Sequence, residues 1–257
     1  MLTDSHCHLD KIDLEPFNNS FSEMLTAAKE FDVSQFLCVC IDTENFDKVL
    51  KPAQDYANIF CSVGVHPTHK ESHAPTVDEL VALAQNDEVI AIGETGLDYF
   101  RCDDEDMTWQ HDLFRTHIRA AIKVQKPLII HTRSAKEDTL RILKEEHAEK
   151  IGGVMHCFAE DWDTAEQAIA LNFYISFSGI VTFNSAKTLQ EVAQKVPADK
   201  YLIETDAPWL APVPKRGKPN QPAYVKYVAE KMADLRLCSY EEIALQSSQN
   251  FNRLFKL

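Results

Sequence analysis

Eight short apolar runs, each followed by a longer stretch with helical spacing, constrain this 257-residue chain more than any other feature. The runs are LTDSHCHL (2–9), QFLCVCI (35–41), IFCSVGV (59–65), VIAIGE (89–94), PLIIH (127–131), GGVMH (152–156), FYISFSG (173–179) and YLIETD (201–206). Most are continuously apolar rather than alternating, as expected of parallel strands covered on both faces by helices. The intervening segments carry helix signals. Thr76 with Glu79 and Ser239 with Glu242 have the spacing of a capping box. Phe114, Ile118, Ala121 and Ile122 make one apolar face, preceded by the acidic run Asp103 to Asp106, which suits a helix N-terminus. Leu189, Val192, Ala193 and Val196 make another, with Asn184 as the expected N-cap.

Eight βα units in about 250 residues predict an α/β fold of the closed (β/α)8 barrel type. The competing architecture, an open doubly wound sheet, calls for a glycine-rich GxGxxG turn after the first strand, where this chain has HxH instead. Neither a low-complexity linker nor a break in composition interrupts the pattern, so residues 1–257 are expected to form a single domain.

The last residues of these strands hold His6, His8, Glu94, His131, His156 and Asp206. In a (β/α)8 barrel the C-terminal strand ends meet at one mouth, where active sites are built, so side chains 200 positions apart can converge. Singly, each has an ordinary explanation, a satisfied core imidazole or a capping carboxylate. Together they would crowd ionisable groups where desolvation is costly unless a cation neutralises the carboxylates. Within the first run, period-2 geometry presents His6 and His8 on one side and Cys7 on the other. Four imidazoles and two carboxylates exceed one tetrahedral site and suit a two-metal centre with a shared carboxylate and room for water. Mixed N and O donors admit Zn²⁺, Mn²⁺ or Mg²⁺.

Charge and cysteine usage narrow the function classes. A formal net charge of -14 excludes a broad surface that coats nucleic acid, while leaving room for a few local phosphate contacts. Seven cysteines without a CxxC pair argue against both a disulfide framework and a zinc knuckle, and the Cys38–Cys40 pair reads as buried thiols. No apolar stretch approaches the roughly 18 residues of a membrane span, and the first residues lack the pattern of a signal peptide, so a cytoplasmic location is expected.

The segments DSHCHLD, GVHP, IGETGLDY, IIHTR, GGVMHCF, FYISFSGIVTF, ETDAPWLAP and RGKPNQP, in this order over nearly the whole chain, strongly resemble the TatD family of metal-dependent deoxyribonucleases within the amidohydrolase-like barrels. The resemblance implies two divalent ions, one held at His6, His8 and Asp206, the other at His131 and His156, with Glu94 bridging. In many amidohydrolases a carboxylated lysine bridges the metals; here Glu94 takes that place. Trp209 stands where the family often has Tyr, and Gln221 where it often has Glu, departures that bear on substrate contacts rather than ligands.

The resemblance implies hydrolysis of DNA phosphodiester bonds from an exposed strand end; the expected chemistry uses a metal-activated water, with Asp206 also accepting a proton and Glu94 acting through the metals. His66 is expected to contact phosphate, Arg133 to clamp it, and Lys215, Arg216 and Lys218 to admit a strand end. Asp4 is expected to be structural, and Asp98 to organise its loop. Phe100, Phe158, Phe183 and Trp209 are read as packing residues, with base stacking as the alternative. A competing enzyme class is an ester or amide hydrolase, such as the D-aminoacyl-tRNA deacylation associated with some relatives, with aminoacyl-tRNA as the partner in place of DNA. A non-catalytic metal scaffold is disfavoured by the carboxylate-rich, cysteine-free ligand set. A monomer is expected.

Overall fold

A computed structural model describes residues 1–100 and 106–257. Eight parallel strands lie in one sheet in chain order: β1 (Leu2–Cys7), β2 (Val33–Cys38), β3 (Ile59–Val63), β4 (Val89–Asp98), β5 (Leu128–Arg133), β6 (Gly153–Met155), β7 (Phe173–Phe177) and β8 (Tyr201–Ile203). Between them run α1 (Phe21–Lys29), α2 (Phe46–Asp55), α3 (Val77–Leu83), α4 (Thr108–Val124), α5 (Lys136–Glu145), α6 (Trp162–Ala170) and α7 (Lys187–Lys195), with α8 (Val225–Arg236) and α9 (Tyr240–Phe255) after β8. This is the (β/α)8 fold.

The strands form where the apolar runs predicted them, but several stop earlier. His8, His156 and Asp206 lie one to three residues past their strands, whereas β4 continues to Asp98 and keeps Glu94 within it. The capping box at Thr76 is present, with Glu79 N–H donating to the Thr76 hydroxyl and the Glu79 carboxylate accepting from Thr76 N–H. Ser239 caps α9 through Glu242 N–H. Asn184 does not cap α7, whose first residue follows Ala186. Of the acidic run before α4, residues 103–105 lie outside the described residues; Asp106 Oδ1 accepts from Thr108 N–H at 2.9 Å.

The chain divides into two compact units. One comprises residues 1–38, 157–162 and 176–257. Here β1 pairs with β2, and β8 lies on its other side, where the Ser5 hydroxyl donates to Ile203 O at 2.9 Å and Asp206 N–H to His6 O at 2.9 Å. First and last strands are thus neighbours, as ring closure requires. The core of this unit holds Phe36, Leu37, Tyr201, Leu202 and Phe251, all buried.

The other unit comprises residues 39–156 and 163–175, with β3, β4, β5, β6 and the start of β7 paired in parallel succession. Leu128, Ile129 and Ile130 are buried without remainder, which explains why that run shows no alternation. Close strand approach demands glycine at one point. Gly96 has φ +139, and a Cβ there would lie 2.0 Å from His131 O, so only a residue without a side chain lets β4 carry Glu94 and Asp98 past β5. Among the described residues no helix is long and apolar enough to cross a membrane.

Candidate functional site

The unit that contains β1 and β8 gathers His6, His8 and Asp206. Cys7 turns the other way, its Sγ 3.5 Å from Leu37 O, so the two imidazoles flanking it share a side, with Nε2 atoms 3.3 Å apart. Asp206 Oδ1 lies 3.6 Å from His6 Nε2 and 3.5 Å from His8 Nε2. A tetrahedron with bonds of about 2.1 Å, ordinary for zinc with N and O donors, has edges of about 3.4 Å, so this triangle of donor atoms fits one divalent ion.

Asp206 is held in a left-handed conformation, φ 56, by its neighbours. Thr205 N–H and Oγ1–H donate to the two oxygens of Asp4 at 2.9 and 2.6 Å, and the Thr205 hydroxyl accepts from Ala207 N–H at 3.1 Å. Asp4 is completely buried, and that burial pushes its carboxyl up to about 8 against the lowering effect of the Thr205 bonds. Asp4 therefore anchors the backbone on which Asp206 sits. Trp209, 48% exposed, meets the His8 ring edge-to-face with centroids 5.0 Å apart. Its carbonyl and that of Thr205 both accept from the Asn220 amide, which pins the loop after β8.

The same loop carries the predicted cations. Arg216 lies over the Phe183 ring, Cζ 4.5 Å from its centroid, and Lys215 Nζ lies 5.4 Å from the Tyr224 ring. Lys218 is exposed and bonds through its backbone to Lys215 O. Val213 N–H donates to Thr182 Oγ1, and the carbonyl of Leu210 approaches Gly179 so closely that a Cβ there would sit 2.1 Å away. The loop is thus docked on the residues after β7.

The other unit builds its cluster around one carboxylate oxygen. Glu94 Oε1 lies 2.9 Å from His156 Nε2, 3.2 Å from His131 Nδ1 and 3.3 Å from His66 Nε2. Burial would raise the Glu94 carboxyl, but the charges of His156 and His66 and hydrogen bonds from His131 and His156 prevail and hold it well below the usual range. Such an anionic oxygen beside the ring nitrogens of His131 and His156 is a donor set suited to a divalent ion.

The imidazoles are not equivalent. His131 Nε2 lies 2.9 Å from Asp98 Oδ2; with Nε2–H donated there, loss of the Nδ1 proton now shared with Glu94 would free Nδ1 as a lone pair for an ion, the arrangement of a metal-binding histidine oriented by a carboxylate. Burial lowers the His131 pKa, yet bonds to Asp98 and Glu94 raise it on balance. At His66 the pattern is reversed. Nδ1 accepts from Thr68 N–H at 3.2 Å, which leaves Nε2–H as a donor, and burial lowers its pKa. Arg133 stacks on Phe100, Cζ 3.6 Å from the ring centroid.

A family model described as TatD related DNase matches residues 3–256. The chain belongs to the TatD family of metal-dependent hydrolases. It is 44% identical over 256 residues to the uncharacterized metal-dependent hydrolase YcfH of Escherichia coli strain K12, covering 100% of this chain and 96% of that one. To YabD of Bacillus subtilis strain 168, named in the same terms, it is 40% identical over 260 residues with both chains fully covered. The crystal structure of YjjV, a TatD homologue from E. coli K12, superposes with a TM-score of 0.89 at 29% identity, covering 100% of this chain and 98% of that one.

In this TatD protein His6, His8 and Asp206 lie together in one unit and Glu94, His131 and His156 in the other, while the linear order gave no sign of what orients them. The second bond of Asp98, to His131, and the Asp4–Thr205 pair have no signature in the linear order. Asp98 also accepts from Phe100 N–H, so it does organise its loop as expected. Asp98→Asn keeps that acceptor but loses the anion that orients His131. Divalent-ion affinity is expected to fall roughly 10- to 100-fold, read by competition with a chromophoric chelator. Undiminished affinity would assign Asp98 to the loop alone.

Proposed function

We propose that this TatD protein is a deoxyribonuclease that hydrolyses phosphodiester bonds near a DNA strand end, using two divalent ions, one at each cluster. His6, His8 and Asp206 would hold one, and His131, His156 and Glu94 the other. When bound, such ions lower the pKa of water and neutralise charge on phosphate oxygens.

The chain's own residues supply the rest. Asp206 turns one oxygen toward His6 and His8, and its second oxygen accepts the proton of the attacking water. His66, whose Nε2–H is a donor, bonds a phosphate oxygen. Asp4, through Thr205, keeps Asp206 from rotating away.

The observation that carries the reading is Trp209: a large, half-exposed aromatic face set edge-on to a ligand imidazole, on a loop that also presents Lys215, Arg216 and Lys218. An indole beside the reacting phosphate offers a stacking surface to any base, and local cations overcome the repulsion of an acidic protein for a strand. Arg133, stacked on Phe100, is a further cation available to phosphate.

The test sets metal-loaded protein against end-labelled single-stranded DNA, D-aminoacyl-tRNA and a panel of small esters. Shortening of DNA is expected, with Trp209→Ala raising KM for DNA about tenfold, the order of one lost base stack. Intact DNA beside turnover of another substrate would overturn the reading.

A further inference from the structure

A pocket beside the Glu94 cluster lies in the unit that contains β3 to β6, between the segment after β3 and the first turns of α4. It is an open cleft of about 610 Å³, within the range of small-molecule sites. Val65, Pro75 and Leu113 supply its apolar wall, and His69, Trp109 and Thr116 its polar groups.

Two of those polar groups stand out. Buried polar atoms almost always have a hydrogen-bond partner, and each exception calls for a cause. Among the described residues the Trp109 indole Nε1 and His69 Nδ1 are both buried without one, and both belong to residues that line this pocket. An indole N–H can only donate, so the missing partner of Trp109 is an acceptor. Thr116 spends its proton on Asp112 O at 2.9 Å and so offers lone pairs, which makes it an acceptor for a ligand donor. His69 serves as either.

The location ties the pocket to the Glu94 cluster. Val65 directly precedes His66, and the His66 and His69 rings meet edge-to-face with centroids 5.8 Å apart. Backbone bonds fix the spacing, His69 N–H donating to His66 O at 3.0 Å. A ligand here is one side chain removed from the imidazole that faces Glu94.

The lining suits a ligand that is apolar on its faces, carries acceptors and donors on its edge and has no large net charge, since the charges of Asp112 and Lys70 offset one another. We propose that this pocket seats a nucleobase of the substrate strand, its edge accepting from Trp109 Nε1–H and donating to Thr116, with its flat face against Val65, Pro75 and Leu113. The inference rests on the nuclease reading for the identity of the strand, but the pocket's preference for a base is separately measurable.

Two measurements test it. In the first, deoxyadenosine and deoxyribose 5-phosphate are titrated into the intact protein and binding is followed by calorimetry. Deoxyadenosine binding that weakens five- to tenfold in Trp109→Phe, the order expected for one lost hydrogen bond, supports the pocket. No deoxyadenosine binding, or equal binding of the base-free sugar phosphate, overturns it. In the second, KM is compared for oligonucleotides with a normal or an abasic nucleotide at each of the last three positions. One position is expected at which base removal raises KM in the wild-type protein by about tenfold and by far less in Trp109→Phe and His69→Gln. DNA cleavage that ignores every base removal overturns the pocket while leaving the nuclease reading intact. Deoxyadenosine binding without any DNA cleavage does the reverse.

Discussion

Glu94→Gln is expected to lower hydrolytic turnover on the order of a thousandfold and to reduce bound divalent metal by one equivalent. The oxygen Oε1 has three imidazole nitrogens within 3.3 Å, and its negative charge balances them. A glutamine of the same shape brings no charge and replaces one acceptor oxygen with an N–H donor, which meets ring nitrogens and repels a cation. Metal-dependent catalysis supplies several kcal/mol of charge stabilisation, and about 4 kcal/mol corresponds to a thousandfold in rate. Metal content by elemental analysis and turnover on end-labelled DNA check the expectation together. Circular dichroism of the variant separates loss of the cluster from loss of the fold. A folded Glu94→Gln protein with full metal content and turnover within tenfold of wild type would remove Glu94 from both roles.

Acid is expected to destabilise the fold by about 3 kcal/mol through one residue, His117. Its ring is fully buried in α4, with Nδ1–H donating to Leu113 O at 2.8 Å and Nε2 accepting from Val65 N–H at 3.0 Å. Both nitrogens are satisfied only in the neutral ring, and burial lowers its pKa from 6.5 to about 4. The unfolded chain therefore binds this proton at a higher pH than the folded one. Above pH 6.5 neither state is protonated and the contribution is whole. As pH falls from 6.5 towards 4 it is lost at about 1.4 kcal/mol per unit, and below 4 nothing further is lost. His117→Gln retains an acceptor for Val65 and a donor for Leu113 without an ionisable proton. Urea unfolding at pH 7, 6 and 5 should show a slope in stability that is shallower in the variant by that amount per unit. Parallel slopes would place the acid sensitivity elsewhere. Because Val65 precedes His66, His117 also steadies the segment that aims His66 at Glu94.

The two expectations differ in how far they could be read from the chain alone. Glu94 was visible because a carboxylate ends an apolar run in register with runs ending in His131 and His156, and because IGETGLDY matches a family motif. His117 lay within an apolar helix pattern, where a histidine gives no sign of what its ring meets. Val65 is 52 residues away, and only packing of α4 against the end of β3 joins them. Asn184 shows the opposite error: a residue with the chemistry of a cap lay two positions before the true one, Ala186. Cap preference is a weak local signal, and the turns after β7 decide where the helix begins.

What the sequence determined by itself was the architecture and the kind of chemistry. Strand and helix periods are local properties, and imidazoles and carboxylates announce metal binding by their type and by their places at strand ends. What only the tertiary structure decided was which atom meets which. Asp4 locks Thr205 across 201 residues, Asp98 selects the His131 tautomer, Thr68 selects the other tautomer at His66, and Trp109 and His69 converge on one pocket. Those pairings depend on strand register and side-chain direction. A hydrogen bond is made or lost over less than an ångström, a distance that spacing along a chain does not encode.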